Sequence, residues 1–187
     1  MMLLRKLRLA SFLLLAGACM AHELEENRAT LVLRDKTHVS VTLYVALADP
    51  LRLVLAPQQP LPEFLAVYSA MNPAELQKQL VRAQSRFQAK VKLSLPAGGE
   101  ISLTNWVWPD ARKVQALFQQ RIMQAVVDPA GHSHEDPLEI HAEVVATVEI
   151  TSVRVQFPEE FGKVLVVVYR PTQIWVEPKT VSPVIRF

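Results

Sequence analysis

The chain has 187 residues, half of them apolar, with 20 basic and 18 acidic side chains and a formal net charge of +2. That length suits a single domain with a sizeable packed core, while a lone cysteine, Cys19, excludes a disulfide framework or a cysteine-based zinc or iron–sulfur site. Three of the cations, Arg5, Lys6 and Arg8, sit in the N-terminal leader; taking them from 20 leaves 17 against 18 acidic residues, and no basic stripe interleaved with aromatics remains to grip nucleic acid.

The first 21 residues have the order of an export signal. A basic n-region is followed by the short apolar run Leu9 to Leu15 and then by the small residues Ala16, Gly17, Ala18 and Ala21. The apolar run is well short of the ~20 residues a membrane span needs. Cleavage after Ala21 makes residues 1–21 a signal peptide and residues 22–187 one periplasmic domain beginning at His22, with its α-amine beside its imidazole. The alternative is cleavage after Ala18, with Cys19 lipidated as the anchor of the mature chain.

The elements that follow begin with strands. RATLVLR, a turn at Asp35-Lys36 and HVSVTLYV predict an antiparallel pair, with Val39, Val41, Leu43 and Val45 on one face and His38, Ser40, Thr42 and Tyr44 on the other. A proline-bearing stretch then leads to Phe64, Leu65 and Tyr68, placed to share the face of one short helix. Asn72-Pro73-Ala74-Glu75 is a helix start with a capping asparagine, proline at the first helical position and glutamate at the capping-box position; Leu76, Leu80, Ala83 and Phe87 line the face behind it. VKLSL, the glycine turn PAGGE and ISLTNWVW predict a hairpin, and Pro109-Asp110 opens a helix carrying Val114, Leu117, Phe118, Ile122, Ala125 and Val126 at helical spacing.

The last third returns to strands. Leu138 to Glu149 alternates apolar and polar residues, VRVQF follows, and KVLVVVY, apolar throughout, predicts a central strand covered on both faces, with QIWVE after it. Strands, helices and strands in this order predict an α+β domain. The expected form is an antiparallel β-sandwich, with an immunoglobulin-like arrangement as one option, carrying a two- to three-helix insertion.

The candidate chemistry is metal binding. The loop DPAGHSHEDP holds His132 and His134 beside Glu135 and Asp136, and residues two apart in an extended loop point the same way. A terminal His22 chelates through its α-amine and ring nitrogen, so His22 with His132 and His134 makes an all-nitrogen set suited to Cu(II). His141, between Glu139 and Glu143 on a polar strand face, is a further candidate ligand, with an ordinary surface histidine as the plainer reading for it and for His38. No nucleophile elbow, HExxH helix, phosphate-cradling glycine loop or dinucleotide fingerprint occurs. The expectation is therefore a non-enzymatic accessory protein of the bacterial envelope, holding copper or another transition metal. The alternative is a metal-free module that docks on an envelope protein partner. A third reading, a copper oxygenase, uses Trp106 and Trp108 as a sugar-stacking platform.

Two resemblances bear on this. AHELEENRATLVLR, with AH ahead of an L-x-L-R strand, resembles the start of the extracytoplasmic β-domain of HupE/UreJ-type proteins, which implies an association with nickel or related metals. It covers about the first fifteen residues after the leader, and no membrane-length apolar run follows, so transport itself is not implied. A histidine directly after a signal resembles CopC-like periplasmic copper carriers and copper-dependent polysaccharide monooxygenases, with His22 as the matching residue.

Overall fold

The structure is a computed structural model that describes residues 27–96, 98–127 and 136–172, together with Val176 and Pro178. The α+β class stands: eight strands form one sheet of five and one of three, neither closed into a barrel, and four α-helices accompany them among the described residues.

β1 (Asn27–Leu33) and β2 (His38–Val45) form the expected antiparallel pair, from Arg28 opposite Tyr44 to Leu33 opposite Val39. The turn is closed by Asp35, whose carboxylate accepts from the backbone amides of Thr37 at 2.7 Å and His38 at 2.9 Å. The bond from the Thr37 amide is the main reason the Asp35 carboxyl sits below its ordinary pKa, against a smaller opposing effect of desolvation.

Three helices follow in succession: α1 (Ala48–Leu55), α2 (Leu61–Ala70) and α3 (Pro73–Lys90). α1 occupies the first part of the proline-bearing stretch, where no helix was expected. Pro50 falls in its first turn, where no intrahelical N–H is needed, and Arg52 pairs with Asp49 one turn back at 3.3 Å. The α3 start is as expected, since Asn72 Oδ1 accepts from the Ala74 amide at 2.9 Å. Glu75, however, takes Lys78 at 2.7 Å. Leu76, Leu80, Ala83 and Phe87 are buried as the spacing required.

β3 (Lys92–Ser94) turns through Gly98 and Gly99, at φ +101° and +99°, into β4 (Glu100–Ile101). Only glycine adopts such angles at little cost. The expected second hairpin strand is divided: after Ser102 the chain enters the larger sheet as β5 (Leu103–Val107), with Asn105 at φ +51° beside a bulge. α4 (Ala111–Val127) starts at Asp110, which accepts from the Lys113 amide at 2.9 Å, and buries Val114, Leu117 and Phe118; Val126 is exposed.

β6 (Leu138–Val145) pairs antiparallel with β2 along its whole length, and β7 (Arg154–Gln156) joins β3 in the smaller sheet. The strand expected to run to Glu149 stops at Val145. Beyond it the chain crosses the β1–β2 turn, with the Ala146 and Ile150 amides donating to the Thr37 and Lys36 carbonyls at 2.8 and 2.6 Å.

KVLVVVY corrects an expectation. Among the described residues β8 (Val164–Tyr169) is an edge strand, parallel to β1, in a larger sheet ordered β5-β6-β2-β1-β8. Val164 packs against the core, but Val166 and Val168 are 39% and 67% exposed. An apolar run says that a strand is a good one, yet its place in a sheet depends on which distant strands pair first. QIWVE falls largely outside the described residues.

One face of the larger sheet carries Ala29, Leu31, Val41, Leu43, Ile140 and Val144 into a single core shared with the four helices, with the smaller sheet through Leu93, and with Phe161. The opposite face carries Arg28, Thr30, Ser40, Thr42, Tyr44, Glu139, His141 and Glu143, none of them buried.

Candidate functional site

Of the expected metal ligands, His22, His132 and His134 lie outside the described residues, as do residues 1–21, expected to be an export signal; His141 is described. The strands nearest in sequence to the other three expected ligands start at one end of the larger sheet. β1 begins at Asn27, one residue before Arg28, which pairs with Tyr44; β6 begins at Leu138, which pairs with Val45. Asn27 and Leu138 are therefore level across β2, two strand spacings or ~10 Å apart.

Both departure points are held. Asn27 Nδ2 donates to the Phe161 carbonyl at 2.5 Å and its Oδ1 accepts from the Ala46 amide at 2.8 Å, so one side chain ties the start of β1 to the residue after β2 and to a 3-10 turn 134 residues away. Asp136, two residues before β6, accepts from Gln120 of α4 at 3.0 Å.

His141 stands near this end on the face that no described element covers. Its Nδ1 lies 3.3 Å from Thr42 Oγ1 and its Nε2 3.3 Å from Glu139 Oε1. Tyr44 donates to the same Glu139 oxygen at 3.2 Å, and the Arg28 guanidinium lies over the Tyr44 ring at 4.4 Å. The result is a continuous polar row from Arg28 through Tyr44 and Glu139 to His141 and Thr42. Strand alternation pointed each of these side chains outward. The β2–β6 pairing that joins them spans about a hundred residues and has no local signal in the sequence.

Alone, this row is not a metal centre: among the described residues no three His, Cys, Asp or Glu side chains gather within range of one ion. Glu139 and His141 supply one oxygen and one nitrogen, and a further ligand set has to come from elsewhere. His38, at the far end of β2, lies 4.0 Å from Glu143 and does not join them.

Trp106 and Trp108 are not presented as a platform. Both pack against the core, stacked on each other at 5.8 Å between ring centroids, and Trp108 stacks on Phe87 at 6.1 Å. The spacing placed them on one face as expected, and that face points inward. Two clefts of about 260 and 340 Å³ lie beside the smaller sheet, and neither is lined by a histidine.

Among the described residues no helix is long and apolar enough to cross a membrane. Comparison of the chain with protein-family models, with curated proteins and with solved structures gave no match.

Proposed function

We propose that this is an exported periplasmic accessory protein that binds a transition metal, Cu(II) foremost, between His22 and the His132/His134 loop. The single observation that carries the reading is the register that sets Asn27 and Leu138 level at one end of the sheet. His22 precedes Asn27 by five residues and His134 precedes the anchored Asp136 by two, and at ~3.4 Å per residue these arms reach up to ~17 and ~7 Å. A gap of ~10 Å is within their joint reach. His141 and Glu139 stand near the same end, half exposed, as further nitrogen and oxygen donors.

The donor chemistry fits the metal. Neutral imidazoles and an α-amine favour Cu(II) over hard oxygen-seeking cations, and the lone cysteine falls within the leader. Cargo carriage or delivery is the role this donor set suits, since its ligands would all come from exposed segments at the end of the sheet.

The test is a Cu(II) titration of protein purified from the periplasm, with its mass establishing that the chain starts at His22. Expected are one equivalent of copper with nitrogen hyperfine structure in the EPR spectrum, and weaker binding after a one-residue N-terminal extension or in His132→Ala/His134→Ala. A mature chain starting at lipidated Cys19, or equal affinity in all three proteins, overturns the shared site and leaves the metal-free docking module in its place.

A further inference from the structure

Independently of the metal reading, we propose that the outer edge of β8 is a docking site for an extended, β-branched segment of another protein that carries a carboxylate at the end lying beside Arg170. β8 is the terminal strand of its sheet among the described residues, so the backbone groups facing away from β1 have no strand partner there. Such an edge templates another strand unless something blunts it; the usual devices are an inward charge, a proline, a bulge or a very short strand. β8 has none of these. It runs six residues in unbroken parallel register from Val164 to Tyr169 without a charged or proline residue, and the first proline, Pro171, follows its end.

Its side chains are suited to a partner as well. Val168 and Tyr169 are 67% and 55% exposed and belong to opposite faces of the strand, so an added strand finds apolar contact above and below the ladder.

Charge selects the occupant. Lys163 and Arg170 bracket the strand, and Arg170 is exposed. The nearest preceding carboxylates, Glu159 and Glu160, are both engaged by Lys90. A second copy paired antiparallel over the whole strand would set Lys163 of one chain opposite Arg170 of the other, two cations face to face at both ends, which is unfavourable. A segment with a glutamate or aspartate beside Arg170 meets that exposed cation with opposite charge. Lys163 already has an interaction within the chain, so recognition rests chiefly on Arg170.

The experiment uses the whole exported chain and two synthetic peptides of alternating threonine and valine, one flanked by glutamates and one by lysines, with binding followed by calorimetry and by hydrogen exchange of residues 164–169. The glutamate peptide should bind and slow exchange across β8, and the lysine peptide should bind about tenfold more weakly, the scale of a paired charge at a binding rim. Arg170→Glu should reverse that preference. Val168→Lys should weaken both peptides, and thermal melts of both variants establish that they fold. The proposal is overturned if Arg170→Glu leaves the preference unchanged or if the free chain forms a concentration-dependent dimer that binds neither peptide. Slow exchange of 164–169 in the free monomer overturns it too, because the edge is then covered by the chain itself.

Discussion

Replacing Asn27 by alanine should be among the more damaging single changes to a residue that is not fully buried. The asparagine makes two hydrogen bonds to backbone groups that no neighbouring strand satisfies, the Phe161 carbonyl at 2.5 Å and the Ala46 amide at 2.8 Å. Removing it leaves a donor and an acceptor partly shielded from water, at about 1–2 kcal/mol each, so a total near 2–4 kcal/mol is expected. For a domain of this size each kcal/mol lowers the melting temperature by roughly 2–4 °C, so Asn27→Ala should melt roughly 5–15 °C below the parent. Asn27→Asp separates the two bonds. It keeps the acceptor for Ala46 but turns a carboxylate oxygen towards the Phe161 carbonyl, so at neutral pH it should be no more stable than alanine. Acid should protonate that carboxyl, restore a donor and narrow the gap to the parent. Thermal denaturation by circular dichroism at pH 7 and pH 4 measures all three proteins. If Asn27→Ala melts within about 2 °C of the parent, the two bonds contribute little net stability and the reasoning fails.

Other substitutions probe the edge and the core. Val166→Asp should fold and lose no more than about 1 kcal/mol, because its side chain is 39% exposed, whereas Val41→Asp, at 1% exposed, should prevent folding; soluble expression and urea melts separate them. Phe87→Ala should cost about 3–5 kcal/mol in urea denaturation, since the ring is fully buried and packs on both Trp108 and Phe161. For Glu160, burial raises the carboxyl pKa, but the hydrogen bond and charge of Lys90 and a backbone hydrogen bond outweigh it, so the net shift is downward. That stabilisation is present above the ordinary carboxylate range and lost as pH falls through the lowered pKa. Lys90→Met should therefore be less stable than the parent at pH 7, by about 1 kcal/mol for this half-exposed lysine, with the difference vanishing at strongly acidic pH. A difference that grows on acidification would contradict the pairing. The affinity for copper bound as proposed should fall steadily as pH drops below about 6.5, where protons compete with the metal for the imidazoles; an affinity unchanged between pH 7 and pH 5 in a Cu(II) titration would contradict histidine ligation.

The local elements were legible in the sequence because local chemistry decides them. Asn72 and Asp110 cap helices, Gly98 and Gly99 provide positive φ angles, and the alternation in β1, β2 and β6 separates the core-facing side chains from the exposed ones. Helical spacing likewise picked out the buried residues of α2 and α3 and the first half of α4. What escaped depends on partners distant in the chain. β8 is as apolar as a central strand but takes an edge because β1 is flanked by β2 on its other side. The strand ending in the tryptophans divides between two sheets at Ser102, since β6 competes for its second half.

For the candidate site the division is the same. The histidines and the spacing of His132 and His134 are properties of the sequence, as is the basic, apolar and small-residue order of residues 1–21 from which exposure of His22 is proposed. That Asn27 and Leu138 lie level on either side of β2 at one end of a sheet, and that His141 meets Thr42 and Glu139 while Tyr44 meets the same Glu139, follows only from β1 and β6 both pairing with β2. Periodicity determines which face a side chain occupies, but which strands become neighbours depends on the shared core, a non-local free energy that no short window of residues contains.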